Sequence, residues 1–189
     1  MATYTFEVEH LTPPEIITLA IAKKQLKLED DYTDEDTLIQ GYINAAISAA
    51  ENYTGTNIVE RKYKIVLTEF TEFIKLPISP IQGVTAIKYY DEDEVLTTLS
   101  ETEYDVLPTD RYETQILCND FDALPTVSTD KWGAVEVYVT AGYASTKTPE
   151  AIQQALLLLI TGFYEKREDT IEKLPKASTN LLRAFRFYR

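Results

Sequence analysis

The stretch from Leu38 to Thr68, LIQGYINAAISAAENYTGTNIVERKYKIVLT, contains the change of pattern that decides the fold. Before Gly55, apolar residues recur every three or four positions, which is typical of one face of a helix. These positions are Leu38, Tyr42, Ala45, Ala46, Ala49 and Tyr53. Gly55 suits the end of a helix, and after it the apolar period falls to two, as in a half-buried strand. The alternating positions are Tyr63, Ile65 and Leu67.

Two helices are predicted up to this point. The first covers residues 19–27, with Thr18 as its N-cap. The second covers residues 34–54, where Thr33 and Asp36 have the spacing of a capping box with the shorter acid. The small residues on its apolar stripe would let another helix approach closely.

Two more helices follow the β segment. One covers residues 149–167, where Thr148 caps and Pro149 takes the first helical position. It is apolar nearly all round, which is typical of a helix at the centre of a core or in an oligomer interface. The side chains assigned to that core or inter-subunit role are Leu156, Leu157, Ile160 and Phe163. The last helix covers residues 179–188.

Strand patterns fill the segment from about residue 58 to 140. The clearest alternation is Ala134–Thr140, and a hairpin is predicted around the acidic turn Asp91–Glu94. The other strands are Val84–Tyr90, Val95–Leu99, Tyr104–Leu107 and Gln115–Cys118. Five to six strands predict a small antiparallel sheet or barrel, and the fold class is therefore α+β.

This order of elements predicts the domain organisation. Residues 1–55 and 141–189 form a small helical bundle, and residues 56–140 form an inserted β lobe. A chain of 189 residues is long enough for one domain with a sizeable insertion, so we expect effectively one compact domain.

Composition and charge exclude several classes of protein. The net charge of −13 argues against a non-specific grip on nucleic acid, which needs clustered lysine and arginine. No apolar run approaches the roughly 18–20 residues that span a bilayer, and the first residues lack the pattern of a secretion signal. The single cysteine, Cys118, rules out an internal disulfide and fits a reducing compartment.

Catalytic constellations are scarce. His10 is the only histidine and lies in an unpatterned stretch, so a nucleophilic triad has no obvious base. Cys118 lies in a strand pattern and is expected to be a packed thiol. The acidic clusters Asp30–Asp36 and Asp91–Glu94 could hold a hard cation, but neither has the spacing of a calcium loop. We therefore predict no metal, no cofactor and no catalytic residue.

The C-terminal seventeen residues differ in charge from the rest of the chain. Lys173 to Arg189 contain five basic residues and no acidic one, whereas the remainder has 13 basic and 31 acidic groups, or −18. The stretch ends NLLRAFRFYR, in which arginines alternate with aromatic residues, and both types are enriched in protein interfaces. The alternative is that Leu181, Leu182 and Phe185 close the core while the arginines are solvated.

Several features occur in the order found in one family of phage proteins. They are Ile17–Lys23, Asp34–Asp36, Glu51–Gly55, Leu76–Ile81, Val84–Asp91, Thr140–Tyr143, Pro149–Leu156, Tyr164–Arg167 and Tyr188–Arg189. The chain resembles the tailed-phage head–tail connector (adaptor or head-completion) proteins, including relatives from prophages and gene transfer agents. The resemblance covers nearly the whole chain from about Ile16, and Ala2–Pro14 has no clear counterpart.

The resemblance implies a structural protein of the virion, assembled in the host cytoplasm. Copies would form a dodecameric ring under the portal protein, extend the DNA channel without binding DNA specifically, and offer a platform to the next neck, stopper or tail protein. The family's portal-engaging segment falls on Asn180–Arg189. The residues that would dock on the portal are Arg183, Phe185, Arg186, Phe187, Tyr188 and Arg189.

Two other functions stay open from the sequence. The acidic clusters allow a carboxylate-metal-dependent hydrolase or nuclease. The chain could also form another ring of the neck, such as the stopper, although the mostly helical frame counts against it.

Overall fold

The computed structural model describes residues 3–9, 16–108, 113–166 and 175–187. The predicted α+β class is confirmed. The helices are α1 (Leu19–Leu26), α2 (Asp36–Thr54), α3 (Glu150–Glu165) and α4 (Lys176–Leu182). The strands are β1 (Thr3–Glu9), β2 (Arg61–Leu67), β3 (Phe73–Lys75), β4 (Ile81–Tyr90), β5 (Leu96–Thr98), β6 (Tyr104–Pro108), β7 (Thr114–Cys118) and β8 (Val135–Ala141). None of the helices in these ranges combines the length and hydropathy needed to cross a membrane.

The strands form two antiparallel sheets, one of five strands in the order β1-β2-β8-β4-β5 and one of three in the order β3-β7-β6. The expectation of one small sheet or barrel with five to six strands was wrong, because β6 and β7 pair with β3 in a separate sheet and because β1 and β3 were not among the predicted strands. Strand β3 has only three residues, too few to show a period. Strand β1, TYTFEVE, alternates apolar and polar residues, so its period-two signal is visible in the sequence.

The described residues divide into two compact units. The β unit takes its residues from 1–13 and 60–142, and the helical unit from 14–59 and 143–189. Residues 3–9 therefore lie in the β unit, and their assignment to the helical bundle was wrong. The physical reason is that β1 pairs antiparallel with β2, for example Thr5 with Ile65, and satisfies its backbone groups in the five-stranded sheet.

Helix α2 has two apolar faces, and only one of them is buried in the core of the helical unit. The buried residues are Ile39, Ile43, Ala46 and Ala50, one position beyond most of the predicted stripe. Leu38 and Ala45 of that stripe are exposed. Both sets have helical spacing, so the period alone cannot distinguish them. Packing against α3 decides which set is buried.

Of the N-caps predicted for the first two helices, the structure confirms one and contradicts the other. Thr18 is confirmed as the N-cap of α1, because its Oγ1 accepts the Ile21 N–H at 3.2 Å. The capping box of Thr33 and Asp36 was wrong, since α2 begins at Asp36 with no side-chain cap. Glu35, at the cap position, instead accepts the Tyr164 hydroxyl at 2.7 Å.

The last two helices also begin at other residues than predicted. Helix α3 begins at Glu150 because Pro149 takes the cap position, and the Thr148 hydroxyl donates to the Ala144 carbonyl rather than capping. Helix α4 begins at Lys176, and a 3₁₀ turn at 183–185 ends the helical backbone before Arg186. The predicted span of 179–188 was therefore shifted towards the C-terminus.

A buried ion pair holds α1 to the start of α2. Lys23 is only 4% exposed, and its Nζ pairs with Oδ1 of the partly exposed Asp36. Removing one partner of a buried pair costs roughly 3–5 kcal/mol, and partial exposure of Asp36 lowers this to about 2–3 kcal/mol. We therefore expect Asp36→Asn to lower the free energy of unfolding by about 2–3 kcal/mol in urea denaturation. Asp34→Asn, at an exposed acid nearby, is the control, and equal losses in both variants would contradict the prediction.

Candidate functional site: the C-terminal segment

The C-terminal segment, residues 175–187, is amphipathic. Ser178, Leu182 and Phe185 are buried, and Leu182 and Phe185 belong to the core of the helical unit. The opposite side is exposed and carries the two cations Lys176 and Arg183, with Asn180 between them. Because these residues recur at helical spacing, one side of α4 anchors the segment and the other presents positive charge.

Phe185 does not lie where a partner could receive it. Its side chain is 6% exposed and packs in the same buried cluster as Leu182. The prediction that Phe185 fills a portal pocket was therefore wrong for this conformation. The alternative prediction, that Leu182 and Phe185 close the core, agrees with the burial of both side chains. Leu181 is half-buried against the same cluster.

The residues after Phe185 lie on the C-terminal end of α2. The Arg186 guanidinium carbon lies 5.0 Å from the centroid of the Tyr53 ring, within the range of a cation–π contact. The Phe187 N–H donates to the Thr54 carbonyl at 2.7 Å. Both side chains are half-buried. Tyr188 and Arg189, also assigned to docking, lie outside the described residues.

Gly55 is confirmed as the residue that ends α2, and the structure adds a second requirement. Its φ is +69°, and its N–H donates to the Glu51 carbonyl at 2.8 Å. A Cβ at this position would lie 3.0 Å from the Phe187 carbonyl oxygen. Glycine therefore permits both the left-handed cap and the close approach of the C-terminal segment. Glycine at this position predicts the end of the helix, but no pattern near Gly55 in the sequence predicts the contact with Phe187.

The predicted core or inter-subunit residues of α3 lie mainly in the core. Leu156 and Ile160 are fully buried and Leu157 nearly so, all in the helical unit. Phe163 is half-buried, and its ring centroid lies 6.5 Å from that of Tyr42. Of the two roles that the sequence allowed, the structure shows the core role for the three aliphatic residues.

The other candidate chemistries find little support. Cys118 is confirmed as a packed thiol: it donates to the Thr71 carbonyl at 3.3 Å, and burial raises its pKa. In the acidic turn, Asp91 Oδ1 accepts the N–H groups of Asp93 (3.0 Å) and Val95 (2.9 Å), so it stabilises the hairpin. Within the described ranges, no group of three or more His, Cys, Asp or Glu is arranged to hold a metal ion. His10 lies outside those ranges.

Comparison with known proteins identifies a family. Residues 16–109 match the model of the phage gp6-like head-tail connector protein family. No curated protein sequence matches the chain.

Solved structures match over almost the whole chain. A chain in the neck of an empty gene transfer agent particle, computed with C6 symmetry, is 28% identical with a TM-score of 0.78. A chain in the virion of the native gene transfer agent particle is 29% identical with a TM-score of 0.78. A chain in the neck of the native particle, computed with C12 symmetry, is 27% identical with a TM-score of 0.76. Each match covers 98% of this chain and 96% of the other.

These relatives are structural proteins of the neck and not enzymes, so the hydrolase hypothesis was wrong. The family match and the neck structures indicate the same kind of protein. The chain is a phage-type head–tail connector.

Proposed function

We propose that this connector forms a ring of identical copies that docks on the portal protein through the exposed basic side of its C-terminal segment. The observation that carries the proposal is the position of Lys176 and Arg183, two exposed cations on the anchored C-terminal segment of a chain of net charge −13. An anchored segment loses little conformational freedom on docking, so less of the contact energy is spent on ordering.

The similar chains support a ring with a closed symmetry. They come from necks computed with C6 and C12 symmetry. A closed ring of one chain uses two different surfaces, one for each neighbour, because its contacts are heterologous. We propose a ring of twelve copies in the particle, formed after synthesis in the host cytoplasm and retained in the virion neck.

The remaining parts of the proposal concern the channel and the next protein. An acidic wall repels DNA and lets it pass without specific binding, so the net charge of −13 suits a ring that extends the DNA channel. The face of the ring away from the portal would receive the next neck or tail protein. A stopper ring is the alternative, and it differs in that it would bind another connector rather than the portal.

The burial of Phe185 reduces the set of residues that we propose for the docking contact. Phe185 anchors the segment, so the contact falls on Arg183, directly after α4, and on Lys176 at the start of α4 on the same exposed side. Arg186 and Phe187 would contribute the surface that their packing on α2 leaves exposed. Tyr188 and Arg189 extend the same basic and aromatic sequence.

Charge reversal of the exposed side tests portal docking. We expect Lys176→Glu with Arg183→Glu to reduce capture on purified portal rings of the parent phage or prophage by roughly tenfold or more, because attraction becomes repulsion. The circular dichroism spectrum should be unchanged, since both side chains are exposed. Binding is measured by co-sedimentation with the portal.

The matched control is Lys75→Glu with Lys147→Glu, which changes the net charge equally at exposed lysines elsewhere. It should bind like the unmodified chain. Equal binding by both double variants would reject portal docking through α4, and binding only to another connector ring would favour the stopper.

A further inference from the structure

Positive charge is also concentrated on one face of the five-stranded sheet. In β2 and β8, the residues Ile65, Val137 and Val139 point into the core of the β unit. Their neighbours along the strands therefore point to the opposite face. We call this opposite side the lysine face, and its members are Lys62, Lys64, Lys88, Lys131, Tyr90, Glu136 and Tyr138.

The lysine face is held in place by contacts among its own residues. Glu136, whose side chain is 9% exposed, accepts from Lys64 Nζ at 3.0 Å and from the Tyr138 hydroxyl at 2.7 Å. Burial, and then the hydrogen bond to Glu136, raise the pKa of Tyr138 to about 12, so its hydroxyl stays protonated and donating at neutral pH. Lys88 Nζ lies 5.2 Å from the centroid of the Tyr138 ring. Lys64 and Lys88 are therefore held by neighbouring side chains of the same face.

Exposed apolar residues border the Tyr90 end of this face. Lys131 Nζ lies 3.3 Å above the Tyr90 ring centroid, and the exposed Leu96 is the cross-strand partner of Tyr90. Trp132 is 60% exposed and follows Lys131 in the chain. Exposed tryptophan and leucine beside an ordered tyrosine are more typical of a protein interface than of a surface that faces phosphates.

A surface of complementary charge exists in the helical unit. The stretch Glu29–Asp36, EDDYTDED, contains six acids, and we call it the acidic loop. Its acids Glu29, Asp30, Asp31 and Asp34 are exposed, as is Tyr32. It thus combines carboxylates with an aromatic side chain that could pack beside Trp132 and Leu96.

We propose that the acidic loop of one copy docks on the lysine face of its neighbour, and that this contact repeats around the ring. The inference rests on the proposed ring. Copies of a chain with net charge −13 repel one another unless their contact surfaces have opposite local charge. A heterologous contact allows this, because the two surfaces need not be the same. The C-terminal cations are assigned to the portal, so we assign the lysine face, a second basic surface among the described residues, to the neighbour.

A charge exchange tests the contact. The lysine variant is Lys62→Glu with Lys88→Glu, and the acid variant is Asp30→Lys with Asp34→Lys. Each alone should reduce the number of complete rings on purified portal by roughly tenfold, and the four substitutions together should restore rings to about a third of the original number or more. Rings are counted by electron microscopy, and copies per portal by native mass spectrometry.

Two controls make the exchange specific. Asp105→Lys with Asp122→Lys changes charge equally at exposed acids outside the five-stranded sheet and should not rescue the lysine variant. Thermal unfolding of each variant separates loss of the contact from loss of the fold. Lys62→Glu with Lys131→Glu is a second lysine-face variant that does not change Lys88 or Tyr138, and it should weaken ring formation in the same way.

The outcomes separate this inference from the ring proposal. If the unmodified chain forms no ring on the portal, both fail. If it forms rings and the single-surface variants do so equally well, only the inference fails. If the lysine variant forms intact rings but assembled particles no longer retain their DNA, the lysine face contacts DNA. That result also overturns the inference. Rescue by Asp105→Lys with Asp122→Lys would show a general charge effect and overturn it as well.

Discussion

Phe185→Ala is expected to lower the free energy of unfolding of the helical unit by about 3–5 kcal/mol, the usual cost of deleting a buried phenylalanine side chain. The reason is that Phe185 packs in the buried cluster with Leu182, and alanine would leave a cavity there. The loss is measured by urea denaturation followed by circular dichroism. Hydrogen exchange of residues 176–187 should rise at the same time, because the segment would lose one of its two main anchors.

Phe121→Ala is the matched control, since Phe121 is 46% exposed and its deletion should change stability by no more than about 0.5 kcal/mol. The comparison tests the role that the sequence first suggested for Phe185. A docking phenylalanine would leave the isolated chain stable and weaken only portal binding. Equal stabilities of Phe185→Ala and Phe121→Ala would therefore contradict the core assignment.

Leu156→Ala is expected to cost about 2–5 kcal/mol of stability, because Leu156 is fully buried on α3 in the core of the helical unit. Deleting three heavy atoms there removes apolar contacts and leaves a cavity between tightly packed helices. Unfolding in urea measures the change. Leu158→Ala, on the same helix at a half-buried position, is the control and should cost less.

The same pair of variants decides between the two roles proposed for α3. If Leu156 served mainly to join subunits, Leu156→Ala would unfold like the original chain and fail only in ring formation on the portal. A large loss of stability in the isolated protein is the result expected of a core residue.

Local sequence signals predicted several elements because the physical cause is itself local. Thr18 caps α1 through its own side chain, and Gly55 ends α2 because glycine adopts a positive φ at little cost. The β4–β5 hairpin formed around the acidic turn as predicted. Strand β1 is a similar case, since the alternation of apolar and polar residues in TYTFEVE is visible in the sequence.

Other features depended on residues distant in the chain. Asp36 has the right spacing for a capping box with Thr33, but it pairs instead with Lys23 of α1. Glu35 likewise accepts a hydrogen bond from Tyr164, more than a hundred residues away. The predicted N-terminal capping box of α2 was therefore wrong, because Asp36 and Glu35 interact with residues distant in the chain instead of capping the helix.

The sequence by itself determined the α+β class, the change of period after Gly55 and the excess of positive charge in the C-terminal segment, because each depends on composition or on near neighbours. Only the tertiary structure decided which face of α2 is buried and that Phe185 belongs to the core while Lys176 and Arg183 remain exposed. Both faces of α2 are apolar enough to pack, and an aromatic residue suits a core as well as an interface. The choice is made by the shape and position of the helix packed against them, which no local pattern encodes.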